Sequence, residues 1–159
     1  MINTINDMQK ILEPYIVKAM ELTGKIIYDK LKEKVEAYYS EEVFNEPNKS
    51  IPDVYQRTNA LRNALFEPII NKKGNTISFS TGFEDDYYTF TYSGNPQWKR
   101  NVPATGKDVL EYFNSGLHGA TVKGSHDYWD EALSELGNES GIINLFKQNC
   151  KNVGIPIIN

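Results

Sequence analysis

Apolar residues recur at intervals of three and four from the N-terminus onward: Ile5, Met8, Ile11, Leu12, Tyr15, Ile16, Ala19, Met20, Thr23, Ile26, Ile27, Leu31, Val35 and Tyr38. That is the stripe of an amphipathic helix, and a stripe of this length obliges the rest of the chain to cover it. Pro14 fits a first helical turn but not an interior. The spacing therefore predicts a short helix before Pro14 and a main helix from about Pro14 to Tyr39, roughly 37 Å long. Between Glu21 and Glu36 the other face alternates Lys25, Asp29, Lys30, Lys32, Glu33 and Lys34, the pattern of a solvated face laced with i, i+4 pairs.

The cover is read from the residues that follow. LRNALFEPII, NTISFSTG and YYTFTYSG are rich in β-branched and aromatic residues and are separated by the turn-like KKGN and FEDD. They predict three antiparallel strands. In the second, Ile77 and Phe79 alternate with Thr76, Ser78 and Ser80, so one face of the sheet is buried and the other wet. Pro68 marks an edge or a bulge in the first strand. A half-polar sheet buries its apolar face on something, and the long helix is the candidate.

Beyond the strands, SGNPQWKRNVPATG reads as a long loop, and GKDVLEYFNSG, SHDYWDEALSELG and NESGIINLFKQNCKNVG as short helices. Ser125 and Ser140 are the expected N-caps, Gly137 and Gly154 the expected stops. The tail IPIIN is apolar enough to add a strand to a sheet edge. The fold class is accordingly α+β: a long N-terminal amphipathic helix packed on a small antiparallel sheet, followed by short C-terminal helices, in one domain over residues 1–159 with a polar arm at about 40–57.

Composition narrows the function classes. A net charge of −4 and a pI near 5.2 leave no general electropositive footprint for nucleic acid. No apolar run reaches the roughly 20 residues that span a bilayer. MINTINDMQK lacks the charged-then-apolar pattern of a secretory signal, and a lone Cys150 has no disulfide partner, which together place the chain in a reducing cytoplasm. Ten Tyr and seven Phe are many for 159 residues, and they serve a strand-rich core and an interface equally well.

Catalytic patterns are sparse. His118 and His126, with Asp127, Asp130 and Glu131 nearby, can be drawn as a metal site, but the spacing matches no metal motif and no third ligand is assigned. Cys150 sits among Ile142, Ile143, Leu145, Phe146 and Val153 on one helix, which describes an inert buried thiol. No nucleophile elbow or phosphate loop is present in the sequence. Trp98, Lys99, Arg100 and Tyr92 form a small basic and aromatic cluster that suits a loop anchor better than base stacking. The residues assign no catalytic role, no metal and no cofactor, and the expectation is a protein that is not an enzyme.

The segment YYSEEVFNEPNKSIPDVYQRTNALRNAL leads from the long helix to the sheet. Its end resembles a motif of the head-tail joining and tail-completion (neck) proteins of long-tailed bacteriophages. In that family an Arg/Asp-Thr-Gly-x-Leu-Arg-x-Ser-like segment opens the sheet after the first helix. Arg57, Thr58, Leu61 and Arg62 match it, while Asn59 replaces the usual Gly and Ala64 the usual Ser. Tyr112, Phe113 and Gly116 resemble a second, aromatic and glycine segment after the strands. The resemblance implies a structural virion protein, assembled in the bacterial host cytoplasm, that forms or binds a ring at the neck. It implies a homo-oligomer in the assembled virion, with the phage connector or adaptor and tail-tube proteins as partners, and no membrane or specific nucleic-acid binding. Tyr38, Tyr39, Phe44, Tyr55, Arg57 and Trp98 would then be the subunit interface, with Tyr and Arg as anchors and Pro47 and Pro52 limiting the entropy lost on ordering. The competing expectation is a small phage- or bacterium-encoded binding protein that inhibits a host factor.

Overall fold

A computed structural model describes residues 4–40, 60–84 and 127–157. Helix α1 (Ile5–Ser40) is followed by a one-turn helix α2 (Ala60–Ala64), strands β1 (Leu65–Lys73) and β2 (Thr76–Phe83), and helices α3 (Tyr128–Glu135) and α4 (Asn138–Asn152). The α+β class holds, with a long N-terminal helix, an antiparallel hairpin and short C-terminal helices. These residues form two compact units. The first holds α1 up to Lys30, residues 67–81 of the hairpin and everything from Ala132; the second holds α1 from Leu31, α2, Leu65, Phe66, residues 82–84 and 127–131.

α1 is one continuous helix of 36 residues that passes through Pro14, where the sequence predicts a break. The proline removes one backbone hydrogen bond, but its ring lies on an exposed face and the helix is held further along by packing. Its start is fixed by a reciprocal cap: the Asp7 N–H donates to Thr4 Oγ1 at 3.2 Å, and the Thr4 N–H donates to Asp7 Oδ2 at 3.1 Å.

The buried side chains of α1 are Ala19, Thr23, Ile27, Leu31 and Val35, each four residues after the last, and Gly24 is buried beside Thr23. A step of four residues advances roughly 40° around the helix, so this ridge winds obliquely. It leaves Met8, Ile11, Tyr15, Leu22 and Ile26 exposed. The single broad stripe expected from the sequence is therefore two, one buried and one in water.

Residues 61–64, expected at the head of the first strand, belong to the helix Ala60–Ala64, and the strand begins at Leu65. Gly74 supplies φ +59 at the first central position of the two-residue turn, the pattern of a type II′ hairpin. Phe66, Pro68, Ile70, Ile77, Phe79 and Thr81 are half-buried, while Glu67, Ile69, Asn71, Thr76, Ser78 and Ser80 face water. Among the described residues the sheet has two strands, so Pro68 sits on an edge strand, where a missing N–H is tolerated. The third expected strand, at YYTFTYSG, lies outside the described residues.

In the first unit α1 meets the hairpin at Gly24. A Cβ placed there would lie 2.8 Å from Pro68 Cβ and 3.1 Å from Phe79 Cδ2, so only glycine lets helix and sheet approach this closely. α4 packs on the same helix through a buried polar relay. The Asn149 Nδ2 donates to Thr23 Oγ1 at 3.0 Å, and the Thr23 hydroxyl donates to the Ala19 carbonyl at 2.8 Å. Asn149→Ala is expected to cost about 2 kcal/mol in urea unfolding, because it leaves a buried hydroxyl short of a partner. A cycle with Thr23→Ala should show a coupling of about 1 kcal/mol, and additive losses would mean that the bond contributes nothing.

α3 is capped by Asp127, whose Oδ1 accepts the Asp130 N–H at 3.0 Å, and the expected cap Ser125 lies outside the described residues. α4 starts after Gly137 in a left-handed conformation without a side-chain cap, so Ser140, expected as the cap, is instead inside the first turn. α4 ends in a Schellman motif: Ile155 N–H to the Cys150 carbonyl at 2.9 Å and Gly154 N–H to the Lys151 carbonyl at 3.0 Å, with Gly154 at φ +95. Residues 155–157 that follow form no strand.

Candidate functional site

The second unit holds the described ends of the polar segment. α1 terminates at Ser40, the chain reappears at Ala60 in α2, and Arg62 Nε bonds Glu36 Oε1 at 2.5 Å. α2 is in turn fastened to the hairpin, the Glu84 N–H donating to the Ala64 carbonyl at 2.8 Å. Ala64 is buried, as are Leu31, Val35 and Tyr128 of the same unit. Arg62 is one of the four residues of the resemblance motif. Its guanidinium makes a charge-assisted bond inside its own chain, which closes the base of the segment that begins at residue 41 and ends at 59.

Trp129 presents a second feature of this unit. A Cβ on Gly82 would lie 3.8 Å from its ring and 3.9 Å from Phe66, so the indole and the phenyl ring flank a glycine of β2. The ring remains 39% exposed, and an exposed indole on a rigid element is an interface-type anchor. Sequence reasoning singled out Trp98 and passed over Trp129. The signal was its place at the second position of a capped helix, where an aromatic side chain cannot be part of the buried helical face occupied by Tyr128 and Ala132.

Electrostatics near α3 are acidic. The Asp127 carboxylate raises the pKa of Asp130 above its ordinary value by direct repulsion, supported by their hydrogen bond, and Lys34 of α1 lies 3.8 Å from Glu131. In the first unit Lys25 bonds Asp29 at 3.1 Å and lies 3.6 Å from Glu67, and its ammonium sits 4.5 Å from the centre of the Tyr28 ring. Asp29 above all holds the Lys25 pKa above its usual range. Burial pushes the Cys150 thiol up, which keeps it protonated and a poor nucleophile.

Of the expected interface residues, Tyr38 and Tyr39 fall on the last helical turn of α1. Phe44, Tyr55, Arg57 and Trp98 lie outside the described residues, as do His118 and His126. Among the described residues no three His, Cys, Asp or Glu side chains are grouped to hold a metal ion, and no helix is long and apolar enough to cross a membrane.

No curated protein and no solved structure matches the chain. A family model does: it covers residues 4–152, from the capping Thr4 to the last residue of α4, and so takes in both units. By that match, the chain belongs to the YomN family, a phage-associated family.

Proposed function

We propose that the protein is a structural component of the phage virion, placed at the neck or tail top, where it joins head and tail by forming or binding a ring. Phage membership supports the setting. The observation that carries the role is the Glu36–Arg62 bond, which joins within one unit the two helices flanking a Tyr-, Phe- and Pro-containing stretch of sequence. Phe44, Tyr55 and Arg57 supply the anchors on that stretch, and Trp129 adds an exposed indole on the unit that bears it. The acidic net charge suits a ring that DNA must traverse without being gripped. The reading assigns no catalysis, cofactor or metal, and places assembly in the host cytoplasm.

Negative-stain imaging of the protein mixed with connector and tail-tube proteins of the same genome tests it. Rings or capped tails are expected, and they are expected to disappear when Phe44, Tyr55 and Arg57 are all replaced by Ser while helicity is retained. A small particle that ignores those proteins would overturn the neck role in favour of an inhibitor of a host factor.

A further inference from the structure

α1 carries an apolar face that the described fold does not use. Ile11, Tyr15, Leu22 and Ile26 are exposed by 50%, 47%, 36% and 38%, and Met8 by 50%. Side chains of these types lie scattered singly on most surfaces and need no explanation there. Here they are aligned. Ile11 and Leu22 are eleven residues apart, as are Tyr15 and Ile26, and eleven residues make three turns of helix. The four therefore form two stacked i, i+4 pairs on one side of a straight helix.

The spacing is also a palindrome. Reversing the helix about the point between Lys18 and Ala19 exchanges Ile11 with Ile26 and Tyr15 with Leu22. A surface of this kind fits itself under a two-fold axis, which is the requirement of an isologous contact. The cations bordering the face already have partners in their own copy: Lys18 is paired with Glu21 at 3.1 Å, and Lys25 with Asp29 at 3.1 Å and with Glu67 of the hairpin at 3.6 Å. The occupant is then expected to be as neutral and as apolar as the face itself.

We propose that this face of α1 docks antiparallel on the same face of a second copy, forming a two-fold dimer. Half-exposed side chains of this size offer about 90 Å² each, so the four that the two-fold axis pairs remove about 700 Å² from water over both copies. The aliphatic stems of the bordering lysines bring the total to roughly 1,000 Å², the size of a weak, transient interface. A contact of this size is expected to be a weak dimer, populated at high protein concentration. The dimer does not rest on the neck reading. An isologous contact is complete at two copies and cannot propagate a ring, so a ring would be built through a different surface.

Sedimentation velocity of the full chain from about 1 to about 300 µM tests the proposal. The mass is expected to double across that range. Ile11→Glu with Leu22→Glu should stay monomeric throughout, with helicity retained and only a modest fall in melting temperature, since both side chains are partly covered in the monomer. Lys18→Cys, next to the two-fold axis, should give a covalent dimer with a short bismaleimide, and Ile11→Cys should not, since Ile11 faces Ile26 of the other copy. A wild-type chain that is monomeric at every concentration, a dimer that survives the two glutamates, or cross-linking at position 11 would each overturn it. Rings with connector proteins that are indifferent to the two glutamates leave the neck reading standing and bear only on that reading.

Discussion

Leu31→Ala is expected to lower the unfolding free energy by about 3–5 kcal/mol, the largest loss from a single truncation in the described core. Leu31 has no exposed surface and is, with Val35 and Thr23, among the largest side chains wholly out of water. It sits on the buried ridge of α1, where neighbours on the same helix are four residues away and cannot move in to fill the void. The removed atoms lose their transfer free energy and leave a cavity, and both terms act against the folded state. For a chain of this size the melting temperature should fall by roughly 10 °C. Leu31→Met, which keeps the volume, should cost less than about 1.5 kcal/mol. Equal small losses from both variants in urea titrations would mean that the site is not closely packed.

The second large effect is expected at Gly24. Helix interiors disfavour glycine by about 1 kcal/mol relative to alanine, so propensity alone favours a substitution. Space opposes it: Pro68 Cβ and Cγ and a Phe79 ring carbon stand 2.8–3.1 Å from where the new Cβ would be. The pyrrolidine ring cannot rotate away, so the hairpin must move as a piece. Gly24→Leu is expected to destabilise by about 3 kcal/mol, the upper end of the usual overpacking range. Gly24→Ala should be milder, because its gain in propensity offsets part of the clash. The diagnostic is a cycle with Pro68→Gly, which removes both proline contacts: in that background Gly24→Ala should cost less than in the wild type, whereas strict additivity would show that the two sites do not meet.

The sequence made the helix-on-hairpin arrangement legible because both periods, three to four and two, are long and clean in it. Periodicity named every residue of the buried ridge from Ala19 to Val35, yet it also named Ile11, Tyr15 and Ile26, which are exposed. An apolar pattern states that a side chain would rather be covered; it does not state which neighbour arrives. Pro14 misled for a related reason, since local cost predicts a break that a helix held elsewhere by packing absorbs. At the caps the errors were of competition. Ser140 has the right chemistry, but the left-handed Gly137 turns the chain three residues earlier, and the Thr4–Asp7 pair was overlooked because it precedes the first strong apolar repeat. Gly24 gave no warning, for nothing local distinguishes a glycine that permits close approach from one that merely weakens a helix. At the candidate site, Arg62 was legible as part of a motif, but its partner Glu36 was not, because the pair spans 26 positions and forms only once α1 and α2 are in place.

That same ion pair has a consequence for how such a protein diversifies. Glu36 and Arg62 bring the C-terminal end of α1 and the start of α2 together within one unit. Doubling the length of a closed loop costs only about 0.6 kcal/mol in closure entropy. On that ground a change of length between residues 41 and 59 is expected to cost little stability, while Glu36 and Arg62 constrain each other. Grafting a foreign sequence between Ser40 and Ala60 therefore leaves the two residues that pair across its flanks, Glu36 and Arg62, in place.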